Sequence, residues 1–518
     1  MMRRKVLACA TVCAVVLSIC SSVYAGGGAQ SGSSQTSQSR VLTVAMGADL
    51  KTFDPANHNA TTTNAILTNM TSLLFRKADN LDVQPELVTK YDIVDLRTWR
   101  MTIRDDVLFH NGDKLTSADV KYTLERSATD KSLTEYPLFR VIQEVKIIDD
   151  YNFDIITFDP YPALPSLLAK FGGDILPKKY IEERGFDYFL SHPVFSGPYE
   201  LVERIRDDKV VLKPFDKFYG GKANNWDQVI FRAIPEPSTR VAELLPGNID
   251  IITDVPPNEW SRVNNNGGLT SIVRGDTTRV YILIMRMTQG EPLADARVRE
   301  AIELAINKQE ICDKLLQGAG VPTRTRVGNG VPGFEPSLYN TNIYNPSRAK
   351  QLLREAGYAN GLTLEMTASR GRYLMDSEVA QMISAMLGEV GITIKLEALE
   401  YSVFSAMYSA KKNKDIFMIG LSDSFFNARY ALTHYSKNRA AGETDYYNAR
   451  VEELYNDALS NMDIAKGDAE CREIQLIVAD ERPHVNICQL QANYGANRRV
   501  NFTPRGDEVF NLASISLK

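Results

Sequence analysis

Two hydrophobic rhythms alternate along the chain. In "RTWRMTIRDDVLFHNGDKLTSADVKYTLERS" (residues 97–127), Trp99, Met101 and Ile103 interleave with Arg100, Thr102 and Arg104. That two-residue period predicts a half-buried strand. Asp105-Asp106 turns the chain, and Val107-Leu108-Phe109 is expected to return as a second strand. Asn111-Gly112-Asp113 is turn chemistry. Thr116, with Asp119 three residues on, predicts a capped helix start whose buried face carries Val120 and Leu124.

The second half switches to helical spacing and back. Val298, Ile302 and Ile306, with Ala301 and Ala305 beside them, predict a helix across "ADARVREAIELAINKQEI". "NPSRAKQLLREAG" offers Asn345 as cap, Pro346 as first helical residue and Gly357 as stop, with Ala349, Leu352, Leu353 and Ala356 facing the core. Leu362, Leu364 and Met366 alternate; Val379, Met382, Ile383, Met386 and Leu387 follow at helical spacing; Ile392, Ile394 and Leu396 alternate again. Such a unit predicts a parallel strand pair with a right-handed crossover. "DIFMIGL" (residues 415–421) has the unbroken apolar character of a strand buried on both faces, as does "VLTVAMG" at residues 41–47. The fold class is therefore α/β.

Upstream of that first strand the pattern fails. "GGGAQSGSSQTSQS" (residues 26–39) has almost no apolar content and is expected to be a tether. Before it, Arg3-Arg4-Lys5, the apolar run from Val6 to Ile19 and "VYA" ending at Ala25 have the layout of an export signal. "LSIC" also has the form of a lipidation box ending at Cys20, with Ile19 where a small residue is expected. Both routes put the mature protein outside the cytoplasmic membrane. Removing residues 1–25 takes away three bases and no acids, bringing the net charge from −5 to −8. Nothing supplies the basic face that a nucleic-acid partner requires. Cys312, Cys471 and Cys488 remain after processing, so at least one is unpaired.

Catalytic grammar is sparse. "GNGVPG" (residues 328–333) matches a nucleotide-loop spacing but sits among prolines, with no strand before it or helix after it. His58, His110, His192, His434 and His484 are scattered without metal-ligand spacing, and no cofactor or metal is expected. Polar and aromatic residues do collect where strands end. Arg372 and Tyr373 follow the 362–366 strand; Asp423, Ser424 and Phe425 follow "DIFMIGL". In open α/β sheets the crevice beyond strand C-termini is where ligands bind.

"TWRMTIRDDVLFHNGDKLTSADVKYTLERS", "FSGPYELVE", "LADARVREAIELAINKQEI", "NPSRAKQLLREAGY" and "DYYNARVEELYNDA", in this order, resemble extracellular solute-binding protein family 5, the peptide/nickel ABC-importer substrate-binding proteins. The likeness runs from about Val41 to the end. It implies a periplasmic binding protein type II-like fold of two lobes with a hinge. Lobe one is expected at residues 41–81, 196–283 and 488–518, an inserted α+β subdomain at 82–195, and lobe two at 284–487. The hinge crossings are expected near "YILIMRM" and "HVNICQLQANYG". The resemblance also implies a monomer that captures short peptides and delivers them to an ABC permease without altering them. Peptide-binding members commonly hold the ligand's α-amine with an aspartate four residues after a glycine. Here that position after Gly420 is Ser424, and the nearest acid, Asp423, falls one residue early. Arg372 is the candidate for a ligand carboxylate, with Tyr373, Phe425, Ser196 and Gly197 as further cleft candidates. Metal chelates and oligosaccharides are alternative ligands, with His434 as the metal hint. A secreted hydrolase, or a chaperone-like protein on the same fold, is the alternative class.

Overall fold

The computed structural model describes residues 40–370, 372–412, 414–423 and 425–518. The expected leader with its Ala25 and Cys20 processing positions, the tether as far as residue 39, and Ser424 lie outside the described residues.

The main sheet contains β1 (Val41–Met46), β2 (Tyr199–Ile205), β3 (Lys209–Pro214), β4 (Gln228–Ala233), β5 (Ile251–Thr253), β6 (Thr270–Met285), β7 (Gly320–Pro322), β8 (Leu362–Arg370), β9 (Ile392–Glu400), β10 (Ile416–Leu421) and β11 (His484–Asn497). Their order across the sheet is β9-β8-β10-β6-β11-β5-β1-β4-β3-β2, and β7 also pairs with β11. β1 reads as an unbroken apolar run because parallel partners flank it on both edges, leaving Leu42, Val44 and Ala45 without solvent contact. β8, the Asp376–Glu389 helix and β9 form the expected unit, Leu362 facing Ile392 in a parallel ladder. β10 is buried from Ile416 to Gly420 between β8 and β6.

Local signals act as their chemistry dictates. Asn345 accepts the Arg348 N–H at 3.0 Å to start the Pro346–Glu355 helix, and Gly357 leaves it at φ +94°. The Ala296–Ala305 helix stops one residue short of its hydrophobic repeat. Ile306 turns extended yet stays in the core, and Asn307 caps the next turn.

A second sheet of four strands, in the order Val88–Asp95, Thr98–Ile103, Asn152–Thr157, Ile142–Ile147, has its own core. Trp99, Met101 and Ile103 pack there with Val120 and Leu124 of the Ser117–Thr129 helix. The capping box at its start is complete, the Thr116 N–H donating to Asp119 at 2.8 Å. The return strand expected at residues 107–109 is not one. Only Leu108 bridges, to Lys114, and the segment closes on itself through Phe109 N–H to Asp113 O and Leu115 N–H to Val107 O. Partners from residues 88–95 and 152–157 take both edges of the Thr98–Ile103 strand, so no edge is left for it.

β6 and β11 run antiparallel along their lengths, from Thr270 opposite Asn497 to Ile284 opposite His484. The neighbours of this pair change along it. Residues 494–496 of β11 pair with β5, whereas residues 488–490 pair with β7 and residues 280–285 of β6 pair with β10. The ladder breaks at that change: Asp276 faces Gln491, but the next registered pair is Val280 with Gln489. The extra residues form a bulge that re-aims side chains and bends the strand. Thr277 Oγ1 donates to Leu490 O at 2.8 Å; Gln489 Nε2 donates to Thr277 O at 2.6 Å, and its Oε1 accepts the Asn329 N–H at 3.0 Å. Gln489→Ala leaves the buried Thr277 carbonyl without this donor, while the exposed Asn329 N–H can turn to water, and is expected to cost about 1–3 kcal/mol, read as a lowered denaturation midpoint.

Candidate functional site

At the bulge, Thr278 and Arg279 enter the wall of a cavity of about 400 Å³. The rest of the wall comes from distant parts of the chain: Ser422, Asp423 and Phe426 after β10, the segment 76–79, Lys170 and Phe171 beside the second sheet, and residues 505–511. The cavity therefore sits where the two ends of the main sheet and the subdomain meet.

Its walls are charged and internally paired. Arg279 donates to Gly420 O at 3.2 Å, lies 3.9 Å from Glu508 and rests 5.3 Å from the Tyr373 ring. Arg505 holds Asp79 at 2.6 Å and Asp507 at 2.7 Å. Lys170 pairs with Glu135 and lies over the Phe171 ring at 3.3 Å. The Lys77 ammonium lies 4.2 Å from the centre of the Phe426 ring, a cation–π contact joining the segment before the second sheet to the loop after β10. Removal from water pulls the pKa of Lys77 down to about 8, against the attraction of Asp507. Burial likewise pushes the Glu508 carboxyl up.

Asp423 is 2% exposed, and its oxygens are engaged by its own loop. Oδ1 accepts the Phe425 N–H at 2.9 Å and Oδ2 the Asn427 N–H at 2.8 Å. Its main-chain N–H donates to Thr278 Oγ1 at 3.1 Å, tying the loop to the bulge. Desolvation outweighs these donors and pushes the carboxyl up to about 6. The fold thus gathers acids of raised pKa (Asp423, Asp174, Glu508) and amines of lowered pKa (Lys77, Lys170) in the wall of one cavity.

The other expected residues are placed as follows. Arg372 is exposed, its guanidinium 5.3 Å from the Tyr373 ring and its N–H bonded to Asp376 at 3.1 Å. Tyr373 meets Tyr281 edge-on at 6.1 Å, so Arg372, Tyr373 and Arg279 form a row ending in the cavity wall. Phe425 is instead buried in the subdomain core, stacked on Tyr430 at 4.7 Å. Ser196 is fully buried, and its carbonyl accepts Ser72 Oγ at 3.0 Å. Gly197 donates to Met70 O at 2.7 Å. His434 lies inside its half of the molecule, 3.3 Å from Glu443 and in ring contact with His484, and burial forces its pKa well down. Lys77, Arg279, Lys170, Arg505 and Glu508 carry no motif; only the strand bulge in "DTTRV", invisible as a pattern, brings Arg279 in.

A continuous sheet carried across two long strands, with a second small sheet beside it and a charged cavity at the crossing, defines a two-lobed binding protein of the type II periplasmic class. The model of the bacterial extracellular solute-binding proteins, family 5 (middle), matches residues 82–443, and the chain belongs to this family. A glutathione-binding protein GsiB of Salmonella paratyphi A is 26% identical over 457 residues, covering 86% of this chain and 88% of that protein. HbpA2 from Haemophilus parasuis superposes with a TM-score of 0.82 at 20% identity, over 92% of this chain and 100% of that one. DppA from Helicobacter pylori, in complex with the peptide STSA, gives 0.74 at 21% identity, over 92% and 98%.

A Cβ on Gly197 would stand 2.3 Å from the Met70 carbonyl carbon and 2.5 Å from Thr71 N. Gly197→Ala is therefore expected to cost about 1–3 kcal/mol or more in a denaturation melt. Ligand affinity of the folded fraction should be unchanged, since this glycine serves as a joint behind the cavity.

Proposed function

We propose that the chain is the extracytoplasmic substrate-binding component of an ABC importer, taking a short peptide or similar zwitterionic solute into the cavity and handing it to a membrane permease. One observation carries this reading: the cavity wall is assembled from both ends of the sheet and includes the bulge through which the two ends are joined. The volume lies at the small-ligand end of the ~300–1,000 Å³ range of such sites. The interleaved cations and acids suit a ligand bearing both charges. The glutathione-binding and peptide-bound relatives support the same class.

On this reading lobe one comprises residues 41–81, 196 to the β6 bulge, and β11 from about residue 491 onward; residues 82–195 are the inserted subdomain and the remainder is lobe two. The hinge lies at residues 276–280 and 489–491, before the 283/284 boundary in the first crossing and just beyond the 487/488 boundary in the second. Ligand contacting both lobes only when they close shifts the open–closed equilibrium toward closure. A swing from 1:99 to 99:1 needs roughly 5.5 kcal/mol of such preference. Asp423 receives the ligand ammonium on the lone pairs its loop leaves free. Lys77 and Arg279 receive a carboxylate, with Arg372 and Tyr373 at the rim. Phe425, Ser196 and Gly197 serve as frame. No bond of the ligand is broken.

The mature protein is exported, either cleaved after Ala25 or lipidated at Cys20, and acts as a monomer; intact-mass measurement of the mature N-terminus separates the two routes. Among the described residues no helix is long and apolar enough to cross a membrane. The reading is tested by native mass spectrometry of ligand co-purifying with the protein, followed by thermal shifts against peptides of graded length, since a ligand bound only by the native state raises Tm. A hydrolysis product instead of intact ligand would overturn it.

Two quantitative outcomes follow from the charges. Affinity should peak between pH about 6 and about 8. Below that window Asp423 is protonated and loses its hold on an ammonium; above it Lys77 is neutral and loses its hold on a carboxylate. Each limb falls by up to ~tenfold per pH unit for one linked proton. In isothermal titration calorimetry Arg279→Ala should weaken binding by roughly 10- to 100-fold, the worth of a charged hydrogen bond, and Arg372→Ala by less because it is exposed.

A further inference from the structure

Three cysteines lie in the described chain, and the fold treats them differently. Cys312 stands in the wide turn Ile311–Leu315, Cys488 on β11 opposite Pro322 of β7, and both are completely buried in the same core cluster. Both are free thiols in the structure, and their sulfurs border the same point beside Gly320. Gly320 is what lets the two sulfurs share one space: a Cβ there would come within 3.2 Å of Cys488 Sγ and 3.3 Å of Cys312 Sγ. Cys471, on the Ile464–Glu481 helix, belongs to a different cluster, packed among Ala428, Tyr455 and Ile474.

We propose that Cys312 and Cys488 are a disulfide-forming pair, oxidised while the exported chain folds, and that Cys471 stays a thiol. In the exchange the two S–H bonds are replaced by one S–S bond. The oxidant, a small-molecule or protein disulfide, has its own S–S bond reduced to two thiols, which take up the two electrons and two protons. Such oxidants belong to extracytoplasmic compartments, so the in vivo arm rests on the export reading above. Attack by a thiolate needs access, and neither sulfur has any in the folded state; the bond therefore forms before the core closes, and that same core then shields it from reductants. The link would tie the Cys312 turn to the crossing strand beside the hinge, fixing the lobe-two end of β11 while its other end moves with β5.

The experiment is peptide mapping. Protein isolated from its own compartment is denatured in alkylating agent without reductant, digested and analysed by mass spectrometry. The expected result is a cross-linked peptide pair containing Cys312 and Cys488, with Cys471 alkylated. Alkylation of all three cysteines, or a link through Cys471, overturns the proposal as it concerns the exported protein. Refolding the reduced chain with oxidised glutathione should give the same link regardless of compartment, so a failed export reading leaves this arm positive, and a failed pairing leaves it negative. Protein refolded from the denatured, reduced state under reductant should melt lower than the same protein refolded with oxidant, and Cys312→Ser should show no such difference; equal Tm values for the two wild-type preparations overturn the pairing.

Discussion

Everything in this molecule hangs on β6 and β11, two antiparallel strands that must pair along their whole lengths while changing neighbours halfway. Where the neighbours change, the ladder is interrupted by the 277–279 bulge. Because the bulge breaks the alternation of the pleat, residues that a regular strand would have kept in the sheet are turned out of it. Thr278 then ties the bulge to the Asp423 loop, and Arg279 reaches Gly420, Tyr373 and Glu508. The strand irregularity and the cavity wall share these few residues, so on the proposed function occupancy of the cavity and the angle between the lobes would be one equilibrium.

The second constraint is desolvation. The cavity gathers cations and acids where water is scarce, and each such group costs free energy unless it has a partner. Most pair with one another, as in Arg505 with Asp79 and Asp507, or Lys170 with Glu135. Burial still leaves its mark: the pKa values of Lys77 and Lys170 are lowered and those of Asp423 and Asp174 raised. On the function proposed above, a zwitterionic guest would add complementary charge to this set, and that gain would favour the closed, occupied state.

Elements governed by neighbours along the chain are legible in the sequence itself. The Asn345 cap, the Thr116–Asp119 box, the 362–396 strand–helix–strand unit and the buried runs at β1 and β10 all follow from spacing and local chemistry, and the succession of motifs identifies the family. The Val107–Phe109 segment shows the limit: its composition suits a strand, but strand formation needs a free edge, and both edges beside it are taken by segments from elsewhere.

For the candidate site the division is sharper. Asp423, Arg372 and Tyr373 could be picked out because they follow strand C-termini, and that rule places side chains near a crevice without saying which way they face. Phe425 follows the same strand yet points into the subdomain core. Lys77, Arg279, Lys170, Arg505 and Glu508 left no trace as a motif, since each sits in a different segment and acquires its role only through the others. Sequence by itself determined the local elements, the family and the negative net charge, because period, capping and charge are properties of the residues themselves and their near neighbours. Only the tertiary structure decided which charges share a cavity, where the long strand pair breaks register and which cysteines lie side by side, because those are distances between residues far apart in the chain.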